Sequence, residues 1–244
     1  MKKYISILAI AFLWSCQSDS SSDTSNGGGA GQGGSLARFT IAGDHLYAVH
    51  NQSLNVFDIS NNANAIYLSK QELFTTVETI FTRDSNTIFI GSTSGMFIYD
   101  VSSAPSIQRL STYQHIVSCD PVVANEDYAY VTLRSDQTNN FCWRGVNQLD
   151  IVDIRDLSNP QLVSSFPMVS PRGLGLYGDT LMVCDEGLKV LNVADPNAIK
   201  LIDVDEDFKA IDLIPYGNLI IAVAEDGLSQ YRYHKGKLNL LSRL

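Results

Sequence analysis

Two arginines and three carboxylates stand out in this chain by type and placement. Arg134 and Arg172 each carry a planar, permanently charged fork suited to two-point recognition of a carboxylate or phosphate. Asp120, Glu186 and Glu225 lie beside turns or links, where one acid can protonate a leaving group while another activates water. Trp143 and Arg144 sit together in the polar stretch Ser135–Val146, and an indole there offers a stacking face to a sugar or a partner side chain. A competing reading is that the arginines pair with Asp120 or Glu186 and only fix loops.

Thiol chemistry is the second possibility. Cys119 and Cys142 flank one stretch of the chain, and a disulfide between them would close a loop of about 23 residues and pin the polar insertion. A bond from either to Cys184, or free thiols, are the alternatives, with Cys184 read as a small buried residue. Two near-motifs lead elsewhere. Gly91-Ser92-Thr93-Ser94-Gly95 has the outline of a nucleophile elbow, but Thr93 stands at the serine position, so it reads as a hairpin turn. Asp203, Asp205 and Asp207 begin like a calcium loop, yet Phe208 replaces the glycine such a loop needs. A solvated acidic link is expected there, with weak Ca²⁺ binding as the alternative and no other cofactor.

These residues can share a site only if the elements between them recur. Apolar blocks begin at Leu46, Ile88, Ala129, Leu181 and Leu219, spaced 42, 41, 52 and 38 residues apart. A second block follows each, at Val56, Ile98, Ile151, Val190 and Gln230. Only the third unit departs, by an insertion of about 12 residues. Each unit supplies four strand candidates separated by turn residues, and the middle strands are apolar at nearly every position, so both faces must be covered. This predicts an all-β fold, a β-propeller of five four-stranded blades over residues 36–244. Asp58, Asp100 and Asp153, with Asn192 in the fourth unit, recur after the third strand and are expected to cap the following turn. In such a blade the second-to-third turns and the blade-to-blade links lie on one face. That face would gather the insertion, Asp120, Arg134, Trp143, Arg144, Arg172, Glu186, Glu225 and Asp226.

The chain begins with Met1-Lys2-Lys3, an apolar run from Tyr4 to Trp14, and then Ser15-Cys16. The run is too short to span a bilayer and reads as an export signal. Its end resembles the lipobox of bacterial lipoproteins, which implies a signal peptide over 1–15 and lipidation at Cys16. Residues 16–35 then form a Ser/Gly-rich tether. Gln17 after the cysteine implies the outer membrane of a Gram-negative envelope. With 45% hydrophobic and 18% charged residues, the chain is neither disordered nor a coiled coil. A net charge of −9 argues against a nucleic-acid partner.

Leu149-Asp150-Ile151-Val152-Asp153, followed by Asn159-Pro160-Gln161-Leu162-Val163, resembles the LVIVD-repeat family of secreted bacterial and archaeal proteins. The similarity extends over about 36–244, clearest across 119–204 and weakest at both ends. It implies a β-propeller and no defined activity. The expectation from sequence is therefore a membrane-anchored, non-enzymatic binding or scaffold module for a protein or glycan, using the insertion-bearing face. The alternative is a hydrolase or lyase acting on glycans or peptides, with Asp120, Glu186 or Glu225 as acid or base and Arg134 and Arg172 as anchors.

Overall fold

The computed structural model describes residues 33–61, 63–115, 121–135 and 145–244. Twenty strands among them form five four-stranded antiparallel sheets, so the molecule is a five-bladed β-propeller. Blade 1 holds β1 (Phe39–Ala42), β2 (His45–His50), β3 (Ser53–Asp58) and β4 (Ile66–Glu72). Blade 2 holds β5 (Val77–Asp84), β6 (Thr87–Ser92), β7 (Gly95–Asp100) and β8 (Gln108–Gln114). Blade 3 holds β9 (Val122–Ala124), β10 (Tyr128–Leu133), β11 (Gln148–Asp153) and β12 (Gln161–Pro167). Blade 4 holds β13 (Leu174–Tyr177), β14 (Thr180–Cys184), β15 (Leu188–Asn192) and β16 (Lys200–Asp205). Blade 5 holds β17 (Asp212–Tyr216), β18 (Leu219–Val223), β19 (Leu228–His234) and β20 (Lys237–Arg243). The first strands of successive blades lie side by side, which places them at the axis.

The recurring acids act as the spacing implies. Asp58, Asp100 and Asp153 each accept the N–H two residues ahead, from Ser60 at 2.8 Å, Ser102 at 2.8 Å and Arg155 at 3.0 Å. Asn192 accepts from Ala194 at 3.1 Å in the same way. The carboxylate ends its strand by offering the backbone a local acceptor in place of the ladder. Just before each of these residues the third and fourth strands shift register, at Val56/Phe57, Ile98/Tyr99, Ile151/Val152, Val190/Leu191 and Gln230/Tyr231. The bulge persists in blade 5, where Arg232 stands in place of the acid. The strand pairing itself, then, carries the kink.

Packing between blades is apolar and face to face. Every residue of β6 and of β14 is buried, as their largely apolar runs require. Four clusters of buried side chains join blades 1–2, 2–3, 3–4 and 4–5. Among the described residues no such cluster joins blade 5 to blade 1. There β2 and β18 alternate between buried and more exposed positions, unlike the middle strands of blades 2 to 4. Polar groups make the join. Asp212 accepts from Ser35 Oγ at 3.1 Å and from the Leu36 N–H at 3.2 Å. Ser35 Oγ in turn accepts the Leu174 N–H of blade 4 at 2.7 Å. A Cβ at either Gly34 or Gly173 would come 2.2 Å from an Asp212 carboxylate oxygen, so both glycines are required for the clasp to close. Burial pushes the Asp212 carboxyl above its ordinary range, against the pull of these donors.

Two outcomes follow. Gly173→Ala should cost about 1–3 kcal/mol in urea unfolding, because its Cβ would also lie 2.7 Å from Asp212 Cα, which can move only with the backbone. Hydrogen bonds from their turns hold Asp58, Asp100 and Asp153 below the usual carboxylate range. Their stabilising contribution is complete above the unfolded-state pKa and is lost as pH falls through the folded one. Replacing all three by Asn, which caps the same turn at position 192 without titrating, should flatten the fall in Tm between about pH 5 and pH 2. An unchanged slope would show that these caps do not drive it.

Candidate functional site

Two contiguous cavities open on the insertion-bearing face. The axial one, about 250 Å³, draws its lining from all five blades or their links: Leu36 and Arg38, Glu78 and Thr79, Pro121 and Arg134, Arg172, and Ile211. Among the described lining residues three guanidinium groups meet one carboxylate, and Arg134 and Glu78 each have an interaction partner. Among the described residues Arg38 and Arg172 make no ion pair. Backbone bonds fix Arg172 from both sides. Its N–H donates to the Cys184 carbonyl at 2.8 Å, and its carbonyl accepts from Thr132 Oγ1 of blade 3 at 2.8 Å.

The second cavity, about 480 Å³, lies between blades 4 and 5 and shares Arg172 and Ile211 with the first. Its carboxylates are Glu186, Glu225 and Asp226, and its cations are Arg172 and Lys209. Glu186 sits at φ 53°, a left-handed conformation costly for a residue with a Cβ, in the turn between β14 and β15. Lys209 Nζ holds that turn, donating to the Glu186 carbonyl at 2.8 Å and standing 3.9 Å from its carboxylate. Next to it, buried Asp185 accepts the Val169 N–H at 3.1 Å, the Ser170 N–H at 2.6 Å and Lys189 Nζ at 2.7 Å. This acid shapes the link from which Ser170 and Arg172 reach the cavity. Asn147 clamps the base of the insertion to the same link, accepting from the Ser135 N–H at 2.8 Å and donating to the Val169 carbonyl at 2.6 Å.

Of the residues singled out from sequence, Arg172, Glu186 and Glu225 line the second cavity, and Arg134 joins Arg172 at the axis. Asp120, Trp143, Arg144, Cys119, Cys142 and Cys16 lie outside the described residues. Glu186 turns to Lys209, a residue with no sequence signal, and not to an arginine as one reading expected. Cys184 is free and buried, and burial pushes its thiol well up, which suits packing and not nucleophilic attack. Thr93 and Ser94 form the β6–β7 turn, as read. The acidic link is corrected. Asp203 accepts from Lys237 Nζ and the Leu238 N–H, and Asp205 from Tyr231 Oη and Arg243, so these acids join blade 4 to blade 5. Among the described residues no group of three or more His, Cys, Asp or Glu could hold a metal ion. Among the described residues no helix is long and apolar enough to cross a membrane.

Comparison with known proteins agrees with this architecture. The LVIVD repeat model matches residues 33–69 and 143–167, that is blade 1 and the outer half of blade 3. The first repeat, expected to be among the weakest, is therefore one of the two that match. No curated protein matches the sequence. A structure from Lactobacillus plantarum superposes with TM-score 0.67 at 15% identity, covering 82% of this chain and 67% of its own. The periplasmic gluconolactonase of Pseudomonas aeruginosa superposes with TM-score 0.64 at 12% identity, covering 83% and 67%. A 6-phosphogluconolactonase candidate from Bacteroides uniformis gives TM-score 0.64 at 12% identity, covering 83% and 68%. The chain thus spans about two thirds of the length of these structures. The expectation of a non-enzymatic protein is overturned by these neighbours. It rested on the lack of a recognisable catalytic motif, and a gluconolactonase is among the chains of similar fold.

The placing of Ser170 and Arg172 can be tested without a ligand. Asp185→Ala takes away the shared acceptor of two backbone donors and the Lys189 ammonium, all of them part-buried. It should lower unfolding stability by about 3 kcal/mol in urea titration.

Proposed function

We propose that the protein is an extracytoplasmic hydrolase, tethered to a membrane through Cys16, that cleaves an ester-like bond in a glycan-derived substrate. The observation that carries this reading is the 480 Å³ cavity where Glu186, Glu225 and Asp226 face Arg172 and Lys209. Carboxylates and fixed cations around one cleft are the groups that hydrolysis needs. A carboxylate takes a proton from water, and the hydroxide adds to the carbonyl carbon. Arg172 or Lys209 meets the charge gathering on the carbonyl oxygen. Collapse then expels the alkoxide, which takes the proton back. Glu225 is the preferred base, because the Glu186 turn is already held by Lys209. The lactonases among the fold neighbours support a cyclic sugar ester as the first substrate class to try.

Acid release followed in a pH-stat tests the reading with δ-gluconolactone, further sugar lactones and peptide esters. One class should be hydrolysed well above the buffer rate, and Glu225→Gln should lower kcat on it by about 10²–10⁴. Rates equal to buffer across all classes would sink the proposal.

A further inference from the structure

We infer that Gly34–Leu36 is a latch, whose release opens the ring between blades 5 and 1 and loosens the two residues that the cavities share, Arg172 and Ile211. Opening there does not depend on any hydrolysis.

The repeat shows what this seam lacks. In blades 2 to 5 two side chains of the second strand face the preceding blade and are buried, as Ile88 and Ile90 are in blade 2. Leu46 and Ala48, at the same positions in blade 1, are partly exposed. The facing wall repeats the pattern. Blades 1 to 4 bury Val56, Ile98, Ile151 and Val190 against the next blade, while blade 5 offers the partly exposed Gln230. Ile221, paired with Gln230, is also partly exposed, and Val223 is 40% exposed. Strands of neighbouring blades lie side by side at the other four junctions and, among the described residues, not at this one.

What holds the seam is polar. Asp212 accepts from Ser35 Oγ at 3.1 Å and from the Leu36 N–H at 3.2 Å, and the Leu174 N–H donates to Ser35 Oγ at 2.7 Å. Beyond Leu36 the chain belongs to blades 2 and 1. The Ala37 carbonyl accepts the Ile80 N–H at 3.0 Å, and the Arg38 carbonyl accepts the Val49 N–H at 2.8 Å. In net terms a hydrogen bond contributes less than one buried Leu or Ile side chain. Opening here exposes little further apolar surface, because the walls are already partly in water, and it returns the half-buried Asp212 carboxylate to solvent. Local opening takes place where few apolar contacts have to break.

Release reaches the cavities through the backbone. Leu174 lies two residues after Arg172, Asp212 directly follows Ile211, and the Gly173 N–H donates to the Ile211 carbonyl at 2.9 Å. Arg172 and Ile211 line both cavities.

Amide hydrogen exchange on the full-length chain, followed by NMR at rising urea below the unfolding transition, tests the latch without a ligand. After correction for intrinsic rates, the Leu36, Leu174, Arg172 and Ile211 amides should exchange together. They should do so at least about 100-fold faster than Ile90 and Val131 in blades 2 and 3, and with a weaker urea dependence. Ser35→Ala removes a donor to Asp212 and the acceptor of Leu174, and should speed all four by about tenfold. Ile98→Val, at the junction of blades 2 and 3, should speed Ile90 and Val131 and leave the four unchanged, since that junction stays intact when the latch opens. Leu36 and Leu174 exchanging at the rate of Ile90, or sped alike in the Ile98 variant, would overturn the latch. A folded Ser35 variant in which they are unmoved would do the same. Arg172 and Ile211 following Ile90 while Leu36 and Leu174 do not would overturn the coupling to the cavities.

Discussion

Asp212 holds together the two ends of a ring that apolar packing joins everywhere else. Its carboxylate binds Ser35 and the Leu36 N–H, and Ser35 passes the connection to Leu174 in blade 4. Arg38 lies two residues beyond Leu36, and Ile211 immediately precedes Asp212. Both belong to the axial mouth. The clasp that closes the ring therefore also sets the geometry of the candidate site. A half-buried carboxylate in that role is costly, as its raised pKa shows, and it persists because several donors and two glycines are fitted around it.

The acidity of the chain has a largely mechanical explanation. Asp58, Asp100 and Asp153 cap turns. Asp150 is buried and accepts from Tyr113 Oη, Gln148 and Ser165. Asp205 binds Tyr231 and Arg243 across the junction of blades 4 and 5, and these partners hold its carboxyl low despite burial. A negative total thus says little about any one patch, because many of these acids are spent inside blades or between them. Net charge speaks to solubility and to excluded partners, while local potential depends on which charges the fold leaves uncommitted.

Much of the fold was legible from residue pattern. The strand pairs, the insertion in the third unit and the capping acids follow from periodicity and turn chemistry, which act over a few residues. The fourth unit shows this well, where the blocks beginning at Leu181 and Val190 fall within the strands Thr180–Cys184 and Leu188–Asn192. The site was legible only in part. Arg172, Glu186 and Glu225 were found because their positions in the repeat put them on one face. Arg38, Glu78, Asp185 and Lys209 were missed, since a residue next to a strand end looks the same whether it points to solvent, to a neighbouring link or to the axis.

The amino-acid sequence alone determined that there are five units of four strands, with a capping acid or amide after the third strand in the first four, because these depend on contacts within a unit. Only the tertiary structure decided how the ring ends meet and which charges are paired. Those depend on side chains far apart in the chain, such as Ser35 and Asp212 or Arg38 and Arg172, whose approach no local pattern encodes. The calcium-like acids show the same division. Their spacing resembled a metal loop, and their carboxylates were instead taken by Lys237, Tyr231 and Arg243 from the next blade.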